Sequence, residues 1–365
     1  MKTSIFKTLA LAGTAMVIGL SSCGNGGDKS ADQNASAASD ADKQILGAGA
    51  TFPYPLYSKM FSEYGKTSNI QTNYQSIGSG GGVKQIMNKT VDFGASDAFL
   101  ADADIASMPA PVVEFPTCLG AVVITYNLPE NPELKMTPEI ISGIFLRTIT
   151  KWNDKKIAAE NPGVKLPDID ISVAHRTDGS GTTFIFTDYL SKISDDWKTK
   201  IGAGKSVNWP EGELGGKGNE GVAGMVKQTP GTIGYIELAY AIQNNMSFAQ
   251  VKNAAGNFIK PSIQSASLCA NMDIPADTRI SITNSTVDQG YPISSFTWII
   301  LYKEQNYNSR SKDKATNLVK ELWWMIHEGQ AQNAPLNYAT LPPKAVAAAE
   351  AVLKSVTYGG QPILQ

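Results

Sequence analysis

Short apolar runs along the chain alternate with glycine-rich polar turns and with longer stretches whose apolar residues recur every three or four positions. The first pattern predicts buried strands, and the second predicts amphipathic helices. Strands alternating with helices are typical of an α/β fold with mainly parallel sheets. Strands are predicted at residues 45–50, 70–77, 91–97, 112–124 (broken at Pro116), 169–174, 233–237, 239–241 and 296–302. Helices are predicted at residues 56–64, 83–88, 138–145, 182–193, 220–227, 314–328 and 343–355.

Three predicted strands run through a turn of small residues directly into a predicted helix. These turns carry the hydroxyls of Thr51, of Ser79, and of Ser180 to Thr182. The first N–H groups of a helix have no partner within it and lie at the positive end of its dipole. Hydroxyls and Arg176 beside such groups favour a tetrahedral oxyanion as ligand. Because ligands of open α/β sheets bind beyond the carboxyl ends of strands, we expect these turns to meet in a cleft.

The N-terminal residues do not look like part of the folded body. Two early lysines precede an apolar run that ends in Leu20-Ser21-Ser22-Cys23, a pattern typical of a secretory signal and similar to a lipoprotein cleavage site. We therefore predict a lipoprotein signal peptide over residues 1–22 and lipidation of Cys23, with an ordinary signal peptide as the alternative. Residues 23–43 are rich in small and polar side chains and predict a flexible linker.

Composition narrows the possible partners. A chain of 365 residues exceeds one ordinary core, so two domains are expected, and 42% hydrophobic residues are typical of a globular protein. The formal net charge of -2, without a basic block, argues against nucleic acid as a partner. Besides Cys23 the chain contains Cys118 and Cys269, which an exported protein can join in a disulfide. Two buried free thiols are favoured, because Cys118 lies in a core-like run.

Enzyme motifs are weak or incomplete. A nucleophile elbow requires glycines two residues before and after the serine, and around Ser180 those positions hold Asp178 and Thr182. His175 is poorly placed across the turn to act as its base, so a structural histidine is predicted. Residues 216–221 match GxGxxG, but residues 209–213 before them look like a loop, which favours a turn and a helix start over a dinucleotide site. The spacing of His, Cys and acidic residues is not typical of a metal site.

Several segments together resemble the phosphate-binding proteins of bacterial ABC phosphate importers, the PstS family. They are Gly47-Ala48-Gly49-Ala50-Thr51-Phe52-Pro53, Ile77-Gly78-Ser79-Gly80-Gly81-Gly82-Val83-Lys84-Gln85, Val91-Asp92-Phe93-Gly94-Ala95-Ser96-Asp97, Arg176-Thr177-Asp178-Gly179-Ser180-Gly181-Thr182 and Gly215-Gly216-Lys217-Gly218-Asn219. The resemblance implies an α/β, type II periplasmic binding-protein fold with two crossovers and a ligand in the hinge cleft. Lobe I would comprise residues 44–125 and 290–365, and lobe II residues 126–289.

The resemblance also implies a ligand set. By motif position, phosphate would contact Thr51, the backbone of Phe52, Ser79, Asp97, Arg176, Ser180, the backbone of Gly181, and Thr182. Asp178 would hold the Arg176 guanidinium rather than touch the ligand. An ionised Asp97 only accepts hydrogen bonds, so it would admit phosphate, which carries a proton, and repel sulfate. Two positions depart from the family pattern: Gly80 stands where serine is frequent, and His175 where a second arginine is common.

The implied function is that of a binding protein and not of an enzyme. We expect a monomeric, exported receptor in the periplasm or at the cell surface, anchored to a membrane through Cys23 and requiring no cofactor. It would deliver inorganic phosphate to the permease and ATPase subunits of an ABC importer. A receptor for another oxyanion (sulfate, molybdate or a phosphonate) is the first alternative, and a phosphatase-like enzyme is the second.

Overall fold

The structure is a computed structural model that describes residues 40–364, so the predicted signal peptide, Cys23 and most of the predicted linker lie outside the described residues. Within residues 40–364 the strands are β1 (Gln44–Gly49), β2 (Gln71–Ser76), β3 (Phe93–Ser96), β4 (Val112–Tyr126), β5 (Lys135–Met136), β6 (Ser172–Arg176), β7 (Leu214–Gly216), β8 (Thr232–Glu237), β9 (Ser247–Phe248), β10 (Gln250–Lys252), β11 (Phe258–Ile259), β12 (Ser294–Tyr302), β13 (Thr357–Tyr358) and β14 (Gln361–Pro362).

Helices connect many of the strands. In the same described region they are α1 (Tyr54–Ser68), α2 (Ser79–Met87), α3 (Asp102–Ala106), α4 (Pro138–Phe145), α5 (Lys155–Glu160), α6 (Gly181–Ile193), α7 (Asp195–Lys200), α8 (Gly218–Gln228), α9 (Leu238–Gln243), α10 (Ile263–Leu268), α11 (Lys312–Ile326) and α12 (Pro343–Lys354). Short 3-10 helices at Glu328–Gln332 and Ala334–Leu336 follow α11.

The long strand β4 belongs to two sheets. The first sheet has the order β2-β1-β3-β12-β4, and the second continues in the order β4-β8-β6-β7. From Val112 to Ala121 the strand pairs with β12, and from Val122 to Tyr126 it pairs with β8. The strands β1, β2 and β3 are parallel, as are β6, β7 and β8, whereas β12 and β4 run antiparallel to their neighbours. The predicted α/β arrangement is confirmed.

The chain passes between the two sheets at adjacent points. Within β4 the pairing partner changes between Ala121 and Val122, and the chain returns to the first sheet at Ser294, where β12 begins. Val122 N donates to the carbonyl of Ile293 at 2.8 Å, so the two crossings lie side by side. The predicted lobe limits near residues 125 and 290 lie close to these crossings and stay a prediction.

Two predictions of strands are wrong in detail. Pro116 does not break the run at residues 112–124, because β4 is continuous and its register with β12 shifts beside the proline, at a bulge where no ladder N–H is required. Residues 239–241 are not a strand but part of α9. The carboxylate of Glu237 accepts the N–H of Ala239 at 2.7 Å and caps this helix. A short apolar run does not distinguish these two possibilities.

The buried acid Asp92, just before β3, is paired through both of its carboxylate oxygens. Asp92 accepts the N–H of Leu46 at 2.7 Å, forms an ion pair with the Arg310 guanidinium, and lies 3.2 Å from Lys314 Nζ. Cys118 and Cys269 are buried and free, which confirms the free-thiol prediction.

The end of the predicted linker is fixed to the folded body. Ser311 Oγ donates to the Asp42 carboxylate at 2.5 Å, and Asn317 Nδ2 donates to the Asp42 carbonyl at 3.0 Å. The chain therefore enters the first sheet from the N-terminal end of α11. Among residues 40–364, none of the helices has the length and apolar character needed to cross a membrane.

Candidate anion-binding site

The three predicted strand–turn–helix junctions are joined by direct hydrogen bonds. Thr51 lies between β1 and α1, Ser79 opens α2, and Ser180 is the N-cap of α6. All three side chains are buried. Ser79 Oγ accepts the N–H of Gly181 at 3.0 Å, which connects a junction of the first sheet to a junction of the second. The structure thus brings together residues more than 100 positions apart, as the sequence predicted for a cleft.

Arg176, the last residue of β6, provides the positive charge of the site. Its Nε donates to Asp178 Oδ1 at 2.7 Å and its Nη2 donates to Asp178 Oδ2 at 2.5 Å, so the pair is bidentate. Burial by itself raises the pKa of Asp178, but the hydrogen bonds and charge of Arg176 and the N–H of Gly218 lower it below its ordinary value. The carboxylate therefore stays ionised and fixes the guanidinium, whose Nη1 lies 3.5 Å from Thr182 Oγ1.

The charged side chains of the site do not add up to a positive charge that could hold an anion by itself. The positive charge of Arg176 is offset by Asp178, and Asp97 adds a second carboxylate nearby. An anion bound here must therefore be held by short hydrogen bonds from hydroxyls, backbone N–H groups and the guanidinium edge. Such a site needs no basic protein surface, which agrees with the formal net charge of -2.

The two sheets touch most closely at glycine residues. Gly80 N donates to the Gly179 carbonyl at 2.8 Å. A Cβ at Gly181 would lie 2.5 Å from Ser79 Oγ and 2.6 Å from Asp97 Oδ2, closer than real Cβ contacts allow. Any side chain at Gly181 would force the two halves apart, and the site is closed in this structure.

Asp97 follows β3 and is 1% exposed. Thr297 Oγ1 donates to its Oδ1 at 2.7 Å, and its backbone N–H donates to Ser79 Oγ at 3.2 Å. Burial raises the pKa of Asp97 to about 7, even though Thr297, the Arg176 charge, Ser79 and Thr182 all act to lower it. The sequence led us to expect a fully ionised carboxylate. In the closed cleft, its neutral and ionised forms are instead comparable near pH 7.

Thr51 and Phe52 are held from behind by two tyrosines. Tyr240 OH donates to the Thr51 carbonyl and Tyr338 OH donates to the Phe52 carbonyl, each at 2.6 Å. In a trans peptide the N–H points opposite to the C=O. Since Tyr240 holds the Thr51 carbonyl, the N–H of Phe52 points away from that tyrosine and is available as a donor.

Two residues of the site were not predicted from the sequence. Asn219 Nδ2 donates to Thr51 Oγ1 at 2.8 Å and to Thr182 Oγ1 at 3.1 Å, and Thr297 binds Asp97 from β12. Asn219 stands in a glycine-rich turn before a helix, and Thr297 lies between two aromatic residues of a buried strand. Each of these positions is unusual enough to suggest a functional residue. Neither position shows which partner the side chain contacts in the folded protein.

His175 and the GxGxxG string have structural roles. His175 Nδ1 is 2.9 Å from the Arg176 carbonyl, its ring stacks on Trp209, and burial lowers its pKa. The prediction of a structural histidine is confirmed. The string forms a turn and the start of α8, although a three-residue strand, β7, precedes it where only a loop was expected. Among residues 40–364, no group of three or more His, Cys, Asp and Glu side chains is arranged to hold a metal.

Comparisons with known sequences place the chain among binding proteins. Residues 34–323 match a family model described as a PBP superfamily domain. The chain is 45% identical over 313 residues to the phosphate-binding protein PstS of Xylella fastidiosa, covering 84% of each protein. It is 44% identical over 307 residues to that of Haemophilus influenzae, covering 83% of this chain and 90% of the relative. The PstS protein of Methanocaldococcus jannaschii is 36% identical over 348 residues, or 89% of each.

Solved structures show the same architecture. A high-affinity periplasmic phosphate-binding protein with bound phosphate superimposes with a TM-score of 0.69 at 20% identity, covering 84% of this chain and 93% of that one. A phosphate-binding protein from Stenotrophomonas maltophilia gives a TM-score of 0.63 at 17% identity with the same coverage. At such identities the likeness concerns the fold, and it confirms the predicted periplasmic binding-protein fold.

Proposed function

This chain belongs to the PBP superfamily and, within it, to the PstS phosphate-binding proteins, and from that membership we propose that it binds inorganic phosphate and delivers it to an ABC importer. The names of its relatives and a phosphate-bound protein of the same fold support this substrate. The observation that carries the proposal is a buried cluster of donors from both sheets, gathered around one acid, Asp97.

We propose that the bound phosphate takes over contacts that the closed site now makes within itself. Gly181 N–H donates to Ser79 Oγ, and the Thr182 hydroxyl lowers the pKa of the Asp97 carboxyl. An anion between these groups would accept hydrogen bonds from them directly. The proposed ligands are the side chains of Thr51, Ser79, Asp97, Arg176, Ser180 and Thr182, together with the N–H groups of Phe52 and Gly181.

Asp97 gives the proposed site its preference among oxyanions. Phosphate near neutral pH always carries a proton that an ionised Asp97 can accept, whereas sulfate carries none. A second ionised oxygen against a buried carboxylate is strongly unfavourable, because no water compensates the repulsion. The proposal therefore includes phosphate as the ligand and sulfate as the rejected analogue.

We further propose that the protein acts outside the cytoplasm as a monomeric lipoprotein. The signal over residues 1–22 would be removed, and Cys23 would carry the lipid. The linker would reach the body at Asp42, which Ser311 and Asn317 hold. Two lobes divided near residues 125 and 290 would close on phosphate and present it to the permease and its ATPase.

We propose binding without catalysis. Ser180 Oγ accepts the N–H of Thr183 at 3.0 Å as a helix cap, and His175 Nδ1 is turned to the Arg176 carbonyl. Neither geometry provides a nucleophile with a base beside it. A phosphatase would need both, or a metal-bound water.

Calorimetric titration of ligand-stripped protein tests the function. Phosphate should bind tightly, arsenate comparably, and sulfate far more weakly. Arg176→Ala removes donors to a charged ligand, each about 1.5–3 kcal/mol, so phosphate affinity should fall by roughly 10²- to 10⁴-fold if two are lost.

Arg147→Ala is the matched control. It removes an arginine whose Nη1 donates to the Ile171 carbonyl at 2.7 Å within the same predicted lobe, and it should leave phosphate binding unchanged. Wild-type affinity in the Arg176→Ala variant would contradict the proposed site. Tighter binding of sulfate than of phosphate would contradict the proposed ligand. Release of phosphate from a phosphate ester would show that the protein is an enzyme.

A further inference from the structure

We propose that Asn219 is a positioning residue that turns the hydroxyls of Thr51 and Thr182 into hydrogen-bond donors toward the bound anion. The inference rests on the proposed phosphate-binding function and adds a residue outside the ligand set given above. Asn219 is fully buried at the start of α8, and its side chain contacts a threonine from each of the two facing junctions.

The orientation of the amide is fixed by the backbone. The N–H of Glu237, at the end of β8, donates to Asn219 Oδ1 at 2.9 Å. A backbone N–H can only donate, so the oxygen end of the amide must face Glu237 and the NH₂ end must face the threonines. The direction of the hydrogen bonds to Thr51 and Thr182 follows from this constraint.

Thr51 has its acceptor capacity filled. Its Oγ1 accepts Asn219 Nδ2 at 2.8 Å and the backbone N–H of Asn219 at 3.2 Å. A hydroxyl has two acceptor positions and one proton. With both acceptor positions occupied, Thr51 can interact with a ligand only by donating that proton.

Thr182 is arranged in the same way. Its Oγ1 accepts Asn219 Nδ2 at 3.1 Å and lies 3.5 Å from Arg176 Nη1. Its own proton remains for donation, and the hydroxyl lowers the pKa of the nearby Asp97 carboxyl. An anion placed against Thr182 would meet the same proton.

The two hydrogens of one amide thus divide between the two sides of the cleft. Thr51 follows β1 of the first sheet, whereas Thr182 and Asn219 follow strands of the second. The amide is fully satisfied only when the sides meet. Asn219 therefore links closure of the site to correct orientation of its donors, and leaves Asp97 as the group that accepts the ligand's proton.

Two substitutions of Asn219, one of them made also in a background without the two threonine hydroxyls, test this inference by calorimetry with inorganic phosphate. Asn219→Ala should weaken binding by about 10- to 100-fold, since one or two oriented donors to an anion are lost. In a Thr51→Val/Thr182→Val background the same change should matter less than about 3-fold, because no hydroxyl remains to orient. Gln228→Ala, an exposed amide on the same helix, should bind as wild type.

Asn219→Asp reverses the hydrogen-bond direction while keeping the shape and the contact with Glu237. The oxygen that replaces Nδ2 would accept hydrogen bonds from both threonine hydroxyls and draw their protons away from the ligand, so binding should be weaker than in Asn219→Ala. Affinity should also fall more steeply than in wild type as pH rises from 6 to 8, by up to about 10-fold per pH unit for one linked proton. A purely structural role would leave the pH profile unchanged.

The outcomes separate the inference from the function on which it rests. Wild-type protein that binds no phosphate would overturn both. Wild-type binding together with equal affinity in Asn219→Ala would overturn only the inference. So would an equal loss in the double-valine background, because Asn219 would then act without the hydroxyls. Unfolding midpoints of the ligand-free variants identify any loss that merely reflects misfolding, and Asn219→Asp, which keeps the buried contact, then decides.

Discussion

Asp97 should make sulfate binding depend on protons and phosphate binding largely independent of them. The perturbation is Asp97→Asn combined with a change of pH from 5 to 7. Phosphate brings the proton that Asp97 accepts, whereas sulfate requires the proton to be on Asp97 itself. The side-chain amide introduced by Asp97→Asn can donate to sulfate at any of these pH values.

The magnitude follows from the burial of the carboxyl. Burial raises the pKa of Asp97 from an ordinary 3.8 to about 7 in the closed site. That corresponds to about 4 kcal/mol at 1.36 kcal/mol per pKa unit. Because the closed-state pKa lies above that of a hydrated carboxyl, closure takes up a proton, so it is favoured at low pH and disfavoured as pH rises through about 7. Sulfate adds negative charge and raises this pKa further.

Sulfate affinity of the wild type should therefore fall by about 10-fold per pH unit, or about 100-fold between pH 5 and 7. Titrations in buffers of different ionisation enthalpy should show uptake of about one proton with sulfate. In Asp97→Asn the sulfate affinity should be flat over this range and higher at pH 7 than in wild type. Asp196→Asn, an exposed acid, is the control. A wild-type sulfate affinity that changes less than 2-fold would refute the reasoning, as would unchanged selectivity in Asp97→Asn.

Further predictions concern closure and stability. Lys205 Nζ lies 2.7 Å from the Asp104 carboxylate in a partly exposed ion pair. Lys205 belongs to the loop after α7, and Asp104 belongs to α3. Lys205→Ala should weaken phosphate binding by about 2- to 5-fold at low salt, and by less at high salt; calorimetry at two salt concentrations that shows no salt-dependent loss would contradict this. Gly181→Ala should lower phosphate affinity by at least about 10-fold because a Cβ would push the halves apart. Its ligand-free unfolding midpoint should not change, and a wild-type calorimetric titration would show that the contact is not limiting. Asp92→Asn breaks the buried pair with Arg310 and should lower the free energy of unfolding by about 3–5 kcal/mol in urea denaturation; a loss below about 1 kcal/mol would mean that the pair contributes little.

The residues of the site that were predicted from the sequence belong to local motifs. Thr51, Ser79 and Ser180 each lie between a strand and a helix, and that position is visible from neighbours along the chain. Thr297 and Asn219 were missed because their partners in the site lie 200 and 168 residues away. No local pattern encodes contacts of that range, so the tertiary arrangement alone shows them.

The fold was predicted with similar limits. Alternation of strands and helices indicated an α/β architecture, but β4 and α9 were misread where one contact decides the structure. A bulge opposite β12 accommodates Pro116, and the carboxylate of Glu237 starts a helix in an apolar run. The raised pKa of Asp97 also required the structure, because it results from burial that the sequence does not specify.

The insertion of β12 between β3 and β4 constrains the order in which the protein can form. The first sheet is incomplete until residues 294–302 are available, although β1 to β3 end at Ser96. At about 5–20 residues per second, the roughly 200 intervening residues take about 10–40 s to synthesise. Contacts so distant in sequence also slow folding itself. The N-terminal strands therefore remain without their sheet partner for much of synthesis, a delay that suits the export proposed above, since a chain crosses a secretion channel unfolded.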